Sequence, residues 1–254
     1  MPKPEPVDSS SGLECVFADW PAPESVFACC STRAGGVSLH GFGSLNLATH
    51  VGDDGAHVIL NRQRLVDVLK LPSQPQWLNQ THSINVIDLD TDDSREGDAA
   101  MTRVKGKVAV VLTADCLPVL FCNRQGTEVA AAHAGWRGLL NGVLEKTVQK
   151  MKSPAGDIMA WMGPAIGPLQ FEVGEEVREA FINNDSESRS YFKQNRASHY
   201  LADLYSISRL RLKKLGLLSV YGGEFCTFTQ GEHFFSYRKE QKSGRQASLI
   251  YIKN

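Results

Sequence analysis

Uninterrupted apolar runs alternate along the chain with segments in which apolar positions recur every three or four residues. Residues 26–31, 108–113, 118–122, 128–132, 158–162 and 247–252 are short apolar runs, the pattern of strands covered on both faces. Residues 77–78 and 84–89 read as a further strand pair around the connection Asn79-Gln80-Thr81-His82-Ser83. After Asp53-Asp54, either of which suits a helix cap, Val58, Leu65 and Leu69 fall on one helical face until Pro72 stops it. A second helix carries Leu140, Val143, Leu144, Val148 and Met151 before Pro154 and Gly156 end it. Helices over 174–182 and 204–215 follow, the latter capped by Asp203. Asn123-Arg124-Gln125-Gly126 supplies hairpin chemistry between two of the strands. Strands alternating with helices predict an α/β fold. Two Gly-rich loops, 32–47 and 163–168, interrupt the regular elements, and ordered loops of this kind carry function.

The 254 residues contain no Pro/Ser-rich or charge-dense linker in the middle, which favours one domain over 13–254. Residues 1–12, rich in Pro, Ser and charge, are expected to form a mobile tail. With 27 basic against 28 acidic residues, the net charge of −1 gives no footprint for nucleic acid or an anionic membrane. Small molecules become the expected substrates. The absence of any apolar run near the roughly 20 residues of a membrane span, and of a secretory leader, predicts a cytoplasmic protein. Six irregularly spaced cysteines read as reduced thiols, with Cys29 and Cys30 packing on opposite sides of their strand.

The candidate chemistry lies at strand ends. His82 follows a predicted strand, Cys116 ends the run at 108–113, and His133 is delivered by the run at 128–132. Two imidazoles and a thiolate form a donor set that zinc favours, and three protein ligands leave the fourth tetrahedral corner for water or substrate. The separations match no compact zinc signature. A Cys after an apolar strand is commonly a buried small residue, and Asp115 beside it reads either as a catalytic acid/base or as a turn former.

Gln80-Thr81-His82, Thr113-Ala114-Asp115-Cys116-Leu117-Pro118-Val119 and Ala131-Ala132-His133-Ala134-Gly135-Trp136-Arg137-Gly138 closely resemble the YfiH family. The likeness extends through Thr32-Arg33-Ala34-Gly35-Gly36-Val37-Ser38, Ser44-Leu45-Asn46-Leu47, Gly163-Pro164-Ala165-Ile166 and Phe234-Phe235-Ser236-Tyr237-Arg238, over about residues 26–252. Lys105 to Lys107 and the acidic run at 90–93 match no motif. The resemblance implies a single α/β domain, a layered α-β-β-α sandwich of mixed sheets related to cysteine-hydrolase-like folds, with metal ligands at His82, Cys116 and His133. It implies purine nucleoside phosphorolysis, with adenosine deamination and methylthioadenosine cleavage in the same pocket. Zinc is the implied metal, with copper as the alternative for a polyphenol oxidase. A further alternative is a metal-free hydrolase editing peptidoglycan precursors, in which Cys116 is a nucleophile activated by His133.

For phosphorolysis, Arg137 near a helix start is the first expected phosphate contact, followed by Arg33 and Arg238. Ser44 and Asn46 are expected contacts to base or hydroxyl, and Asp115 is expected to move protons during deamination. The partners are then purine nucleosides and phosphate, bound by a monomer or homodimer. A non-catalytic metal site would instead close the fourth position with His50 or His233.

Overall fold

The computed structural model describes residues 3–7 and 10–254, and its longest strands form two sheets that pack face to face. In chain order the first elements are β1 (Glu5–Pro6), β2 (Glu14–Phe17), β3 (Val26–Ser31), α1 (Gly55–Leu69), β4 (Val86–Asp88), β5 (Ala99–Thr102), β6 (Ala109–Thr113), β7 (Leu117–Asn123) and β8 (Val129–Ala134). They are followed by α2 (Trp136–Asn141), α3 (Val143–Lys150), β9 (Ile158–Met162), β10 (Glu172–Gly174), α4 (Glu175–Asn184), β11 (Phe192–Arg196), β12 (His199–Ala202), α5 (Leu204–Lys214), β13 (Ser219–Gly222) and β14 (Gln246–Ile252). One sheet has the order β1-β2-β3-β14-β6, the other β13-β9-β7-β8-β5-β4, and a small sheet β10-β12-β11 stands beside them.

The apolar runs hide a period of two, because both faces of each large sheet are covered. Val110 and Leu249 pack outward with Leu65 and Leu69 of α1, whereas Val111 and Ile250 point inward against Leu120 and Ala131 of the second sheet. Phe121 and Ala132 take the second sheet's other face, against Leu144 and Val148 of α3 and Leu212 of α5. The result is four layers, helix, sheet, sheet and helix. Cys29 and Cys30 divide as the alternation requires, Cys29 toward α1 and Cys30 into the gap between the sheets.

Local signals set the helix ends. Asp54 caps α1 by accepting from the Ala56 amide at 2.8 Å, and Asp203 caps α5 through Ser206. The helix expected around residues 140–151 is two helices, because Gly142 adopts φ 100° and its amide closes α2 onto Gly138 and Leu139. The expected pairing of 77–78 with 84–89 does not form. Gln76 and Asn79 make isolated bridges to Ala109 and Glu96, and β4 instead pairs in parallel with β5, whose short Ala-Ala-Met-Thr sequence gave no strand signal.

Part of the expected N-terminal tail belongs to the fold. Glu5 pairs with Cys15 and Pro6 with Glu14, the Val7 amide donates to the Leu13 carbonyl, and Leu13 is fully buried. Pro6 is compatible with this place because β1 is an edge strand and need not donate on both sides. Residues 1, 2, 8 and 9 lie outside the described residues.

For the site, the decisive connection is the one between β6 and β7. β6 belongs to the first sheet and β7 to the second, so residues 114–116 cross the seam between them.

Candidate metal centre

At that crossing Asp115 takes a left-handed conformation, φ 81°, and its carboxylate accepts from Thr227 Oγ1 and the Arg238 amide, both at 2.6 Å. These bonds tie the turn to the loop before β14. They also present Cys116 with its Sγ 3.8 Å from His82 Nε2. His82 is left-handed as well, φ 61°, in a loop whose shape is set by one buried carboxylate. Asp98 accepts the amides of Thr81, His82 and Ser83 at 3.1, 3.0 and 2.6 Å and the Ser83 hydroxyl at 2.7 Å.

The same carboxylate orients His133 on β8. His133 Nδ1 lies 2.7 Å from Asp98 Oδ1, and the His133 amide donates to the Asp98 carbonyl, also at 2.7 Å. A carboxylate only accepts, so Nδ1 carries the proton and Nε2 is left as a ligand nitrogen. The His82 and His133 rings stand edge to face with centroids 4.8 Å apart. One ligand atom from each of His82, Cys116 and His133 lies within 4.8 Å of the others.

Without a metal, the electrostatics favour a thiolate beside an imidazolium. Burial pushes the Cys116 thiol up, but the positive charge of His133 and hydrogen bonds from both imidazoles outweigh it and bring the group down to about 6. Burial pushes His133 down, and the opposing pull of Cys116 and Asp98 raises it to about 9. Asp98 also loses hydration on burial, yet bonds from His133 and Ser83 hold it at about 2.

This donor set fits a tetrahedral cation. Bond lengths of about 2.3 Å to sulfur and 2.0 Å to nitrogen imply ligand atoms about 3.6 Å apart, close to the separation of Cys116 and His82. Gly135 makes room for it. A Cβ there would stand 2.8 Å from His82 Cδ2 and 3.0 Å from Cys116 Sγ, so the backbone approaches where no side chain fits. Among the described residues the cluster has three members, leaving its remaining side to a cavity of about 480 Å³.

Trp136, Phe171, Tyr237, Arg137, Arg238 and Arg245 line that cavity with the three ligands. Each guanidinium lies over a ring, Arg137 over Trp136 at 4.3 Å, Arg238 over Phe171 at 5.2 Å and Arg245 over Tyr237 at 5.6 Å. The guanidinium groups of Arg238 and Arg245 donate to backbone carbonyls, and none of the three guanidinium groups is paired with a carboxylate among the described residues. Three guanidinium groups on a concave wall, none in an ion pair among the described residues, suit an anion.

Of the expected contacts, Arg137 and Arg238 reach the cavity, while Arg33, Ser44 and Asn46 do not. Arg33 donates to the Gly43 and Gly231 carbonyls and approaches Glu240 at 3.5 Å. Ser44 bonds the Arg33 carbonyl, and Asn46 is fully buried among Ala48, Asp53 and Arg245. These side chains spend their polar atoms within the Gly-rich loop and on its neighbours, away from the residues that line the cavity. Asp115 does line the cavity, but each carboxylate oxygen already accepts a hydrogen bond, so its present task is to position the turn. His50 is on the wall outside the ligand cluster, and His233 faces Glu14 and Glu232. Asp98 and Arg245 escaped the sequence analysis. A lone aspartate opening the apolar residues 99–101 was the available signal for the first, and nothing local marked the second.

Comparison with known proteins places the chain in a family. The family described as multi-copper polyphenol oxidoreductase laccase matches residues 27–253. Purine nucleoside phosphorylase YfiH of Escherichia coli is 51% identical over 239 residues, 93% of this chain and 98% of that protein. A purine nucleoside phosphorylase of Pseudomonas aeruginosa is 47% identical over 237 residues, 93% and 97% of the two chains. A crystal structure of a Neisseria meningitidis protein superposes with a TM-score of 0.91 at 45% identity, over 94% of this chain and 99% of that one. By sequence and by fold, the chain belongs to the laccase-domain family that includes the YfiH purine nucleoside phosphorylases.

Proposed function

We propose that the protein is a zinc-dependent purine nucleoside phosphorylase, with adenosine deamination and methylthioadenosine phosphorolysis as further reactions of the same cavity. The observation that carries this reading is a three-ligand donor set opening onto a wall of guanidinium groups, none of them in an ion pair with a carboxylate among the described residues. That relatives of high identity bear the name purine nucleoside phosphorylase supports it.

In phosphorolysis a phosphate oxygen bonds to C1′ of the ribose while the glycosidic C–N bond breaks and the base leaves with a proton. Arg137 and Arg238 hold the phosphate by charge-assisted hydrogen bonds, and the rings of Trp136, Phe171 and Tyr237 offer faces to a purine. Asp115 keeps Cys116 and the Arg238 backbone in register rather than moving protons. His82, Cys116 and His133 would hold zinc, which when bound supplies a Lewis acid and a water of lowered pKa. The wall groups bind and orient, and the walled cavity limits competition from water.

Elemental analysis together with adenosine turnover tests the proposal. One zinc per chain and phosphate-dependent release of adenine are expected, with inosine marking deamination. Zinc-loaded protein that releases no adenine in phosphate would sink the phosphorylase reading. A metal-free thiol hydrolase is the second reading, favoured by Cys116 lying at about 6 beside an imidazole oriented by a carboxylate. Activity that resists chelators and is lost to alkylation would select it. The multi-copper description of the family finds one three-ligand cluster here among the described residues, a donor set for a single ion.

A further inference from the structure

Arg245 stands on the cavity wall at the entrance to β14, and no motif identified in the sequence includes it. Its guanidinium is already aimed. Nη1 donates to the Ser243 and Gly244 carbonyls at 2.7 and 2.8 Å, and the planar group lies over the Tyr237 ring. No carboxylate pairs with it among the described residues, although Cys116 and Asp115 are near enough for their charges to act on it.

The backbone beneath it is fixed with equal care. The Arg245 amide donates to Asn46 Oδ1 at 3.0 Å, and the Leu47 amide donates back to the Arg245 carbonyl. Asn46 cannot turn its amide, because Nδ2 donates to the Ala48 carbonyl and Asp53 while Oδ1 also accepts from the Ala48 amide. Gly244 fits against Phe235 and Asn46 with no room for a side chain, a Cβ there meeting Phe235 Cζ at 2.7 Å and Asn46 Cβ at 3.0 Å. Arg33 packs over the same Phe235 ring at 4.9 Å. The Gly-rich loop thus ends, through Asn46, on a residue that presents its guanidinium to the site.

We propose that Arg245 is a binding residue for the phosphate co-substrate and that Asn46, buried and away from the cavity, is its positioning residue. The inference rests on the phosphorolysis reading for the identity of the anion. The guanidinium contributes free N–H donors suited to a phosphate oxygen, and its ring stacking leaves those edges available. Fixing the side chain before the anion arrives removes an ordering cost from binding.

The test uses zinc-loaded full-length protein, comparing the native chain with Arg245→Gln, Arg245→Lys, Asn46→Ala and the double variant Asn46→Ala/Arg245→Gln. With adenosine saturating, Arg245→Gln is expected to raise the KM for phosphate by about tenfold or more while the KM for adenosine stays within about twofold. Arg245→Lys should recover part of the loss. Asn46→Ala should raise the phosphate KM in the native background and add nothing to it in the Arg245→Gln background, which a general loss of packing would not do. An unchanged phosphate KM in Arg245→Gln with zinc retained overturns the assignment, and additive effects of the two substitutions overturn the positioning role. Calorimetric titration of each protein with inorganic phosphate separates this inference from the reading beneath it. If the native protein binds phosphate but does not release adenine, the phosphorylase reading fails, while loss of the binding heat in Arg245→Gln still supports Arg245 and its persistence refutes it.

Discussion

His133 Nδ1 donates to Asp98 Oδ1 across 2.7 Å, and that same carboxylate collects the three amides that curl the His82 loop. One buried acid therefore aims two of the three ligands. Replacing Asp98 by Asn keeps the size but loses the charge and puts an NH2 group against donors. Zinc affinity is expected to fall by about 10–100-fold, measured by competition with a chromogenic chelator.

Gly135 makes a steric prediction. Gly135→Ala places a methyl group against His82 Cδ2 and Cys116 Sγ, so the ligands separate while the sheets remain intact. Zinc content after dialysis should drop close to that of Cys116→Ala, with an unchanged far-ultraviolet spectrum. Full zinc in the Ala variant would show that the backbone can yield.

The cysteines should differ sharply in reactivity. In chelator-treated protein Cys116, lowered to about 6, is thiolate above that pH and should alkylate with a rate midpoint near it. Burial holds Cys30 and Cys122 at about 12, so they should stay unreacted in the native state at pH 7. Peptide mapping of the alkylated chain over pH 5–8 reads both results. Cys122→Ala should retain zinc and turnover and lose about 1 kcal/mol of stability from packing, read by urea denaturation.

The pH dependence of metal-free stability has an acid limb set by Asp98. Asp98 is held at about 2 when folded, below about 3.9 for an unfolded aspartate, so its contribution is present above pH 4 and lost as pH falls through 2. His133, raised to about 9, and Cys116, lowered to about 6, form one ion pair whose proton changes cancel between about pH 6.5 and 9, so the pair adds no alkaline limb. Urea midpoints from pH 2 to 7 should show the acid loss. Asp98→Asn should flatten the acid limb, and an identical acid limb in the two proteins would refute the assignment.

The strands that sequence patterning reveals are those with both faces covered. Runs such as that of β7 are apolar throughout, whereas β5 is too short and alanine-rich to signal, and β11, four of whose five residues are exposed, offers no apolar face at all. The break between α2 and α3 depends on one left-handed glycine that a helical periodicity passes over. For the site, His82, Cys116 and His133 were legible because their residue types imply the chemistry and their motifs resemble a family. Asp98 was not, since its role depends on three amides and an imidazole brought together only in three dimensions. Asn46 and Ser44 stand in a conspicuous motif, yet that motif builds a support rather than a contact surface.

The passage of residues 114–116 from one sheet to the other also has a kinetic side. Cys116 leaves the seam while His133 rides on β8 of the second sheet and His82 on a loop anchored by Asp98, so three separately anchored pieces of backbone meet at the donor set. A cation held there would act as a rivet through that joint, and its escape would be timed by how often the joint opens.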